Sequence, residues 1–228
     1  MEEKRIPSHV GIIMDGNGRW ATARGKKRSY GHRIGSSNVD RIVSHAFACG
    51  VKSLTLYAFS SENWARPKDE VDELMRLLKD YLKKFIKKVV KEGVRLRVIG
   101  GRDELSNDLV KVIEDGEEKS KANTSHNLNI AINYGGRQEI VAAVNKLVQE
   151  GKEITVEQLS SALYTAPCGD VDLIIRTGGE YRLSNFLLYQ GAYSELYFTD
   201  VLWPDFDQEQ FDKALESFSN RKRRFGKI

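Results

Sequence analysis

The sequence predicts an α/β fold, a single domain built on a mostly parallel central sheet of about six strands with helices on both faces. Three observations predict it. Short apolar runs rich in β-branched residues alternate with helical patterns along the whole chain. The central runs are apolar throughout, as strands buried on both faces must be. Several runs end in polar, glycine-bearing loops, and open α/β sheets bind ligands beyond the carboxyl ends of their strands. No internal repeat or low-complexity linker interrupts the alternation, so residues 1–228 read as one domain ending in a basic tail, 221–228.

Val10 to Met14 is the first apolar run and reads as a buried strand. A basic, glycine-rich segment from Ala21 to Gly35 follows it, then a helix from Ser37 to Cys49 stopped by Gly50. Ser53 to Phe59 is the second strand, and Ser60 to Pro67 a polar loop at its end. A long helix is expected from Lys68 to Glu92. Val71, Leu74, Leu78, Tyr81, Leu82, Phe85, Val89 and Val90 form its apolar face, with a row of lysines opposite. Val94 to Gly100 is the third strand, followed by a helix over Asn107 to Lys121. Leu128 to Tyr134 is the fourth strand, leading through Gly135-Gly136-Arg137 into helices over Gln138 to Gln149 and Val156 to Tyr164. Val171 to Arg176 is the fifth strand and Glu195 to Thr199 the last. A short helix is expected over Leu187 to Ala192 and a final one over Asp207 to Phe218.

The loop Asp15-Gly16-Asn17-Gly18-Arg19-Trp20 breaks abruptly from the first strand. Its glycines let a ligand approach the backbone, whose N–H groups, with a helix starting near Trp20, suit an anion. Arg19 adds a permanent forked charge. Asp15 would repel a bare phosphate, but Mg²⁺ accepts a carboxylate and phosphate oxygens together, so the stretch reads as a site for a Mg²⁺-diphosphate. Asp-Gly and Asn-Gly are also common turn dipeptides, and the loop alone does not decide between site and turn. It lacks the Gly-Lys-Ser/Thr ending of a Walker loop, and Ala21 stands where a dinucleotide fingerprint needs its third glycine.

The strand-end rule gathers further polar groups at the same edge. Arg176, Arg182 and Ser184 surround a Thr-Gly-Gly turn and suit a second phosphate group; ion pairing with Glu180 or Asp172 is the structural alternative. Glu62, Asn63, Trp64 and Arg66 supply a carboxylate, an amide, an indole and a cation, or else a helix cap before Pro67 with Trp64 as a core anchor. His32 can assist proton transfer or bind a diphosphate oxygen, whereas His9, His45 and His126 read as structural.

The 228 residues are 40% hydrophobic, enough for one substantial core, and the net charge of +4 is too small to argue for nucleic acid. Cys49 and Cys168 fit neither a metal spacing nor a disulfide framework, pointing to a reducing, cytoplasmic setting. The N-terminus carries no apolar signal region, and no apolar run approaches the roughly 20 residues a membrane span needs. Membrane contact is therefore expected to be peripheral. The lysines of the long helix are either a solvated face or a contact for anionic headgroups.

His9 to Ala21, Leu56-Tyr-Ala-Phe-Ser-Ser-Glu-Asn-Trp64, Asn133-Tyr-Gly-Gly-Arg137, Asp172 to Gln190 and Ala192 to Phe206 together resemble the cis-prenyltransferases, in the family's order and over nearly the whole chain. The Asp-Asp-x-x-Asp motif of the all-helical trans-prenyltransferases is absent. The resemblance implies successive addition of isopentenyl diphosphate to an allylic diphosphate, usually farnesyl diphosphate, with Mg²⁺ required. It implies a long-chain product of the undecaprenyl type for cell-wall carrier lipid, an apolar tunnel for the growing chain, and a homodimer whose interface involves Glu195 to Trp203.

By motif, Asp15 would be the metal-linked catalytic carboxylate. Gly16, Asn17, Gly18, Arg19 and Arg28 would hold the allylic diphosphate, with Trp20 and His32 beside it. Arg176, Arg182 and Ser184 would hold isopentenyl diphosphate. Glu195 would help organise the metal, partly across the dimer. Ser60, Glu62, Asn63, Trp64 and Arg66 would lie near the reacting carbons, with Asn63 or a diphosphate oxygen as proton acceptor. Tyr181 and Tyr189 depart from the residues usual in relatives. Arg224-Phe225-Gly226 resembles a short ending that reaches a partner's diphosphate site, and a membrane-contacting tail is the alternative. A non-catalytic partner subunit and a peripheral membrane or RNA-binding module are the competing functions. The charged loops at both strand ends argue against the first. Binding governed strictly by salt, without Mg²⁺-dependent turnover, would argue for the second.

Overall fold

A computed structural model of the chain describes residues 5–221. The tail motif Arg224-Phe225-Gly226 lies outside the described residues. Six parallel strands form one sheet: β1 (His9–Ile13), β2 (Ser53–Ser60), β3 (Val94–Ile99), β4 (His126–Tyr134), β5 (Leu173–Arg176) and β6 (Glu195–Phe198), in the order β3-β4-β2-β1-β5-β6. β1 and β5 are buried at every position, as the uninterrupted apolar runs require. The chain builds outward from β1 to one side, then returns to place β5 on the other. Such a reversal opens a crevice at the carboxyl ends of the central strands. The register sets Ile13 opposite Arg176 and Tyr57, so the loops after β1, β2 and β5 leave the sheet together.

Seven α-helices cover the sheet: α1 (Asn17–Thr22), α2 (Arg28–Ala48), α3 (Lys68–Lys91), α4 (Asn107–Lys119), α5 (Gly136–Gln149), α6 (Val156–Ala162) and α7 (Gln208–Asn220). α3 has Asp69 and Glu70 in its first turn and Lys88 and Lys91 in its last, the polarity that suits the helix dipole. Val71, Leu82, Phe85 and Val89 enter the core, while Lys83, Lys84, Lys87 and Lys91 are exposed. Among the described residues no helix is long and apolar enough to cross a membrane.

Three local expectations need correction. α1 starts at Asn17, ahead of Trp20, and α2 starts at Arg28, nine residues ahead of Ser37. Gly31 and Gly35 made that segment look like a loop, but they are where α1 and α2 touch. A Cβ on Gly31 would lie 1.9 Å from the Asn17 carbonyl oxygen, and one on Gly35 2.0 Å from Asn17 Oδ1. Leu187 to Ala192 is a series of turns; the segment opens at Leu187 with φ 44°, which no α-helix accommodates, after Ser184 and Asn185 at φ 49° and 63°. Ser61–Ala65 in the polar loop is a 3₁₀ turn closed by a reciprocal Ser60–Asn63 capping box.

Candidate active site

The loops after β1, β2 and β5 open into a cavity of about 890 Å³ with two chemically distinct parts. Its mouth carries Asp15, Gly16, Asn17, Gly18, Arg19, Arg28, His32, Ser60, Glu62, Asn63, Arg66, Arg176, Arg182 and Ser184, gathered from four separate stretches of sequence. Its interior is walled by apolar side chains, among them Val39 of α2, Leu56 of β2, Ile130 of β4 and Leu74, Leu78 and Leu82 of α3. One face of α3 thus serves both the core and the cavity.

Asp15 is held from several directions. Its carbonyl oxygen accepts from Thr177 Oγ1 (2.7 Å) and from the Trp203 N–H (3.0 Å). Its carboxylate accepts from the Gly16 N–H at 2.6 Å and from Arg176 Nη2 at 2.9 Å, with Arg19 at 3.5 Å. Burial pushes the carboxyl pKa up, but the Arg176 and Gly16 donors outweigh it and hold Asp15 below its ordinary value. Gly16 sits at φ 105°, and a Cβ there would lie 2.7 Å from Leu202 Cδ2, so glycine is required on both counts. Gly18 leaves room for the Arg28 guanidinium, whose Cζ would lie 2.7 Å from a Cβ.

Arg176, only 4% exposed, ends β5 beside β1 and ties the two halves of the mouth together. It donates to Asp15 on one side and, on the other, to Ser184 Oγ (2.7 Å) and to the carbonyl of Arg182. Arg182 itself pairs with Glu180, and Arg28 and Arg66 share Glu70 at 3.5 and 3.1 Å. Burial, with Arg66 and Arg28 nearby, lowers the His32 pKa to about 4, so its imidazole is neutral at pH 7. Three of the buried polar atoms that lack a hydrogen-bond partner belong to this lining: Asn17 Oδ1, His32 Nε2 and Arg176 Nε. Six arginines (19, 28, 66, 137, 176 and 182) face three carboxylates (Asp15, Glu62 and Glu180). Such a mouth selects a polyanion, and the apolar interior selects a hydrocarbon.

Three residues expected at the site do not line the cavity. Trp20 donates to Asp205 Oδ1 (2.7 Å) and stacks on Tyr30, turned toward the surface. Trp64 donates to Asn133 Oδ1 (2.8 Å) and packs its edge on Phe59, the core-anchor alternative. Glu195 pairs in register with Leu173, three residues before Arg176, and its carboxylate accepts from Arg221 Nη1 at 2.7 Å. It therefore stands at the opposite end of β6 from the Asp15 edge. Asn63 lines the cavity, but its Oδ1 accepts the Ser60 N–H at 3.1 Å, and an amide is in any case a poor base. Tyr181 is exposed with its ring against Phe198, and Tyr189 hydrogen-bonds Ser160 and Val156.

Two residues escaped the sequence reading. Asn185 Nδ2 donates to Glu62 Oε1 (2.8 Å) and Gln138 Oε1 (3.0 Å), its Oδ1 accepts the Arg137 N–H, and its carbonyl accepts the Gly136 N–H. It clasps the loops after β2, β4 and β5. Tyr57 donates to the carbonyls of Tyr134 and Ser184, supporting the left-handed backbone at Ser184. The available signal for Asn185 was its tolerance of positive φ beside Ser184.

Residues 13–226 match the sequence family described as "Putative undecaprenyl diphosphate synthase". The chain is 53% identical over 227 residues to an isoprenyl transferase of Fusobacterium nucleatum, covering 99% of this chain and 98% of that protein. It is 52% identical over 225 residues to one of Aquifex pyrophilus, covering 98% and 97%. Among solved structures it is similar to lavandulyl diphosphate synthase from Lavandula x intermedia in complex with dimethylallyl diphosphate. That match has a TM-score of 0.92 and 38% identity, over 97% of this chain and 99% of that one. It is also similar to a probable undecaprenyl diphosphate synthase from Campylobacter jejuni, with a TM-score of 0.85 and 35% identity over 98% and 100% of the two chains. The arginine-lined mouth on an apolar cavity, the parallel sheet and these full-length matches agree: the chain belongs to the undecaprenyl diphosphate synthase family of cis-prenyltransferases.

Proposed function

We propose that this chain condenses isopentenyl diphosphate successively onto farnesyl diphosphate to give a long cis-polyprenyl diphosphate of the undecaprenyl type. The observation that carries this reading is the division of one cavity into a cationic mouth and an apolar interior. A prenyl diphosphate is divided in the same way. The plant relative was solved with an allylic diphosphate, which supports the same chemistry here.

In this reading the allylic diphosphate lies against Gly16 to Gly18, with Arg19 and Arg28 on its oxygens and the neutral His32 beside it. Isopentenyl diphosphate is held by Arg176, Arg182 and Ser184. The donor set fits Mg²⁺ carried in with a diphosphate. Asp15 offers one carboxylate, positioned by the Gly16 and Arg176 donors with the Arg19 charge beside it and a third of its side chain exposed, and Mg²⁺ accepts one or two carboxylates plus phosphate oxygens. When bound there, Mg²⁺ would neutralise charge on the departing diphosphate. As the allylic C–O bond breaks, Arg19 and Arg28 stabilise the negative charge that develops. The isopentenyl double bond supplies the electron pair of the new C–C bond, and a proton leaves its C2. The departing diphosphate is the better acceptor for that proton, with Asn63 positioning the reacting carbons. The elongated chain then enters the apolar interior along α3.

The remaining proposals concern surroundings. The chain acts as a cytoplasmic homodimer. The supporting features are β6, an edge strand whose four residues are all half-buried, and exposed Val141, Val148 and Tyr193. Glu195 contributes to a metal site only through such an assembly. The exposed lysines of α3 make peripheral contact with anionic headgroups.

Purified protein incubated with farnesyl diphosphate, radiolabelled isopentenyl diphosphate and Mg²⁺ gives a lipid ladder on thin-layer chromatography ending at the undecaprenyl length. EDTA abolishes it. A shorter endpoint would keep the chemistry and remove the carrier-lipid role; no product with any allylic primer would overturn the reading.

A further inference from the structure

On the far side of the molecule from the mouth, α2 and α7 bring together three ligating side chains that the prenyl-transfer site does not use. His45 and Cys49 lie one helical turn apart on α2, and Asp212 faces them from α7. His45 Nε2 is 2.7 Å from Asp212 Oδ1 and 3.6 Å from Cys49 Sγ, and Sγ is 3.7 Å from the same carboxylate oxygen. Three potential ligand atoms therefore converge on one point, all within 4.8 Å of one another. Tetrahedral zinc with one sulfur, one nitrogen and one oxygen ligand places those atoms about 3.3–3.6 Å apart, given its bond lengths. The two sulfur separations, 3.6 and 3.7 Å, lie at or just above the upper end of that range. The His45–Asp212 separation is that of a hydrogen bond, so a bound ion takes the place of the shared proton and the pair parts by roughly half an ångström.

The surroundings favour a cation. The imidazole is mostly covered, with 19% of its side chain exposed, and its ring is held edge-on against the buried Phe211. Cys49 caps the C-terminus of α2, the negative end of that helix dipole. The Asp212 side chain is 51% exposed, which leaves the fourth tetrahedral position to solvent.

We propose that His45, Cys49 and Asp212 form a site for a borderline-soft divalent cation of the zinc class, clamping the end of α2 to α7. The thiolate and imidazole make it a site of different selectivity from the Asp15 mouth, where every proposed ligand to Mg²⁺ is oxygen. Binding forms bonds from the metal to Cys49 Sγ, His45 Nε2 and an Asp212 oxygen; the Cys49 thiol proton is released to solvent, and the proton that Nε2 gives up is carried on Nδ1 of the neutral imidazole.

Cobalt(II), titrated into the full chain in excess Mg²⁺, tests the site directly. The expected result is one equivalent bound, with a thiolate-to-cobalt charge-transfer band in the near ultraviolet that zinc bleaches and Mg²⁺ does not. Cys49→Ser abolishes the band, whereas Cys168→Ser retains it. Asp212→Asn, at an exposed position that does not threaten folding, weakens zinc binding at least about tenfold, the lower bound for losing even an outer-shell partner. Zinc raises the thermal midpoint of the wild type and leaves that of Cys49→Ser unmoved. Mg²⁺-dependent prenyl transfer by Cys49→Ser stays at the wild-type rate, so loss of the band is not loss of the fold. No charge-transfer band, a band that survives in Cys49→Ser, or affinity unchanged in Asp212→Asn would overturn the proposal.

Discussion

The two ends of the sheet each hold a buried histidine whose pKa burial lowers to about 4, and the two differ in what surrounds them. At the amino end, His9 has a partner for each ring nitrogen. Nδ1 faces the Gly169 carbonyl at 3.2 Å and so donates to it; Nε2, 2.8 Å from Thr55 Oγ1, therefore accepts. Thr55 in turn accepts from Asn129, closing a chain of satisfied groups. At the carboxyl end, His32 Nε2 is buried with no partner, beside a cavity whose lining also leaves Asn17 Oδ1 and Arg176 Nε unmatched. Burial alone does not mark a functional residue. A buried polar group whose partners are complete belongs to the fold, and one whose partners are missing at the rim of a cavity waits for a ligand.

The largest break in this contrast comes from Asp15→Ala. It removes the one carboxylate at the Gly16–Arg19 loop that Arg176 and Arg19 hold together, and kcat/KM for isopentenyl incorporation falls by about 10³ or more, roughly 4 kcal/mol. Far-UV circular dichroism stays native. Turnover within tenfold of wild type would remove Asp15 from the chemistry.

The histidines separate next. The folded chain holds His9 neutral down to about pH 4, whereas the unfolded chain protonates near 6.5. The stability contributed by neutral His9 is therefore present above pH 6.5 and is lost as pH falls toward 4, about 3 kcal/mol in all. Urea unfolding of His9→Gln lacks that part of the acid loss, and its turnover at neutral pH stays close to wild type. His32→Ala lacks an acid loss of the same kind, because burial lowers that pKa to about 4 as well; the two variants part in turnover, where KM for the allylic substrate rises about tenfold in His32→Ala through one lost hydrogen bond to a charged group. Equal KM in the two variants would dissolve the comparison.

Smaller effects sharpen it. Asn185→Ala opens the clasp between the loops after β2, β4 and β5 and removes a side chain suited to positive φ. Stability falls by about 1–2 kcal/mol and KM for isopentenyl diphosphate rises several-fold. Trp64→Phe loses the bond to Asn133 and part of the ring packed on Phe59 and costs about 1–2 kcal/mol in thermal unfolding, with kcat within about twofold of wild type. A tenfold fall in kcat would restore Trp64 to the site.

The sequence showed most of the fold because its strands are buried on both faces, so each reads as an uninterrupted apolar run with a turn at its end. It also showed most of the mouth, because parallel strands deliver Asp15, Ser60 and Arg176 to one edge by topology alone. It failed where a residue's meaning depends on a distant partner. Gly31 and Gly35 read as loop residues until Asn17 is seen packed against them. Trp20 and Trp64 sit inside functional motifs yet point to Asp205 and Asn133. Glu195 is placed by strand register, which a linear reading does not supply. Asn185 matters through four contacts made across the chain, none visible locally.

The central claim is that the arginine-lined mouth at the carboxyl edge is a diphosphate site. Calorimetric titration of farnesyl diphosphate into the wild type, Arg28→Ala and His9→Gln in Mg²⁺ buffer tests it most directly. We expect one site per chain, with affinity weakened by about 2–3 kcal/mol, roughly 30- to 150-fold, in Arg28→Ala and unchanged in His9→Gln. Equal affinity in wild type and Arg28→Ala, or no binding to either, would contradict the account.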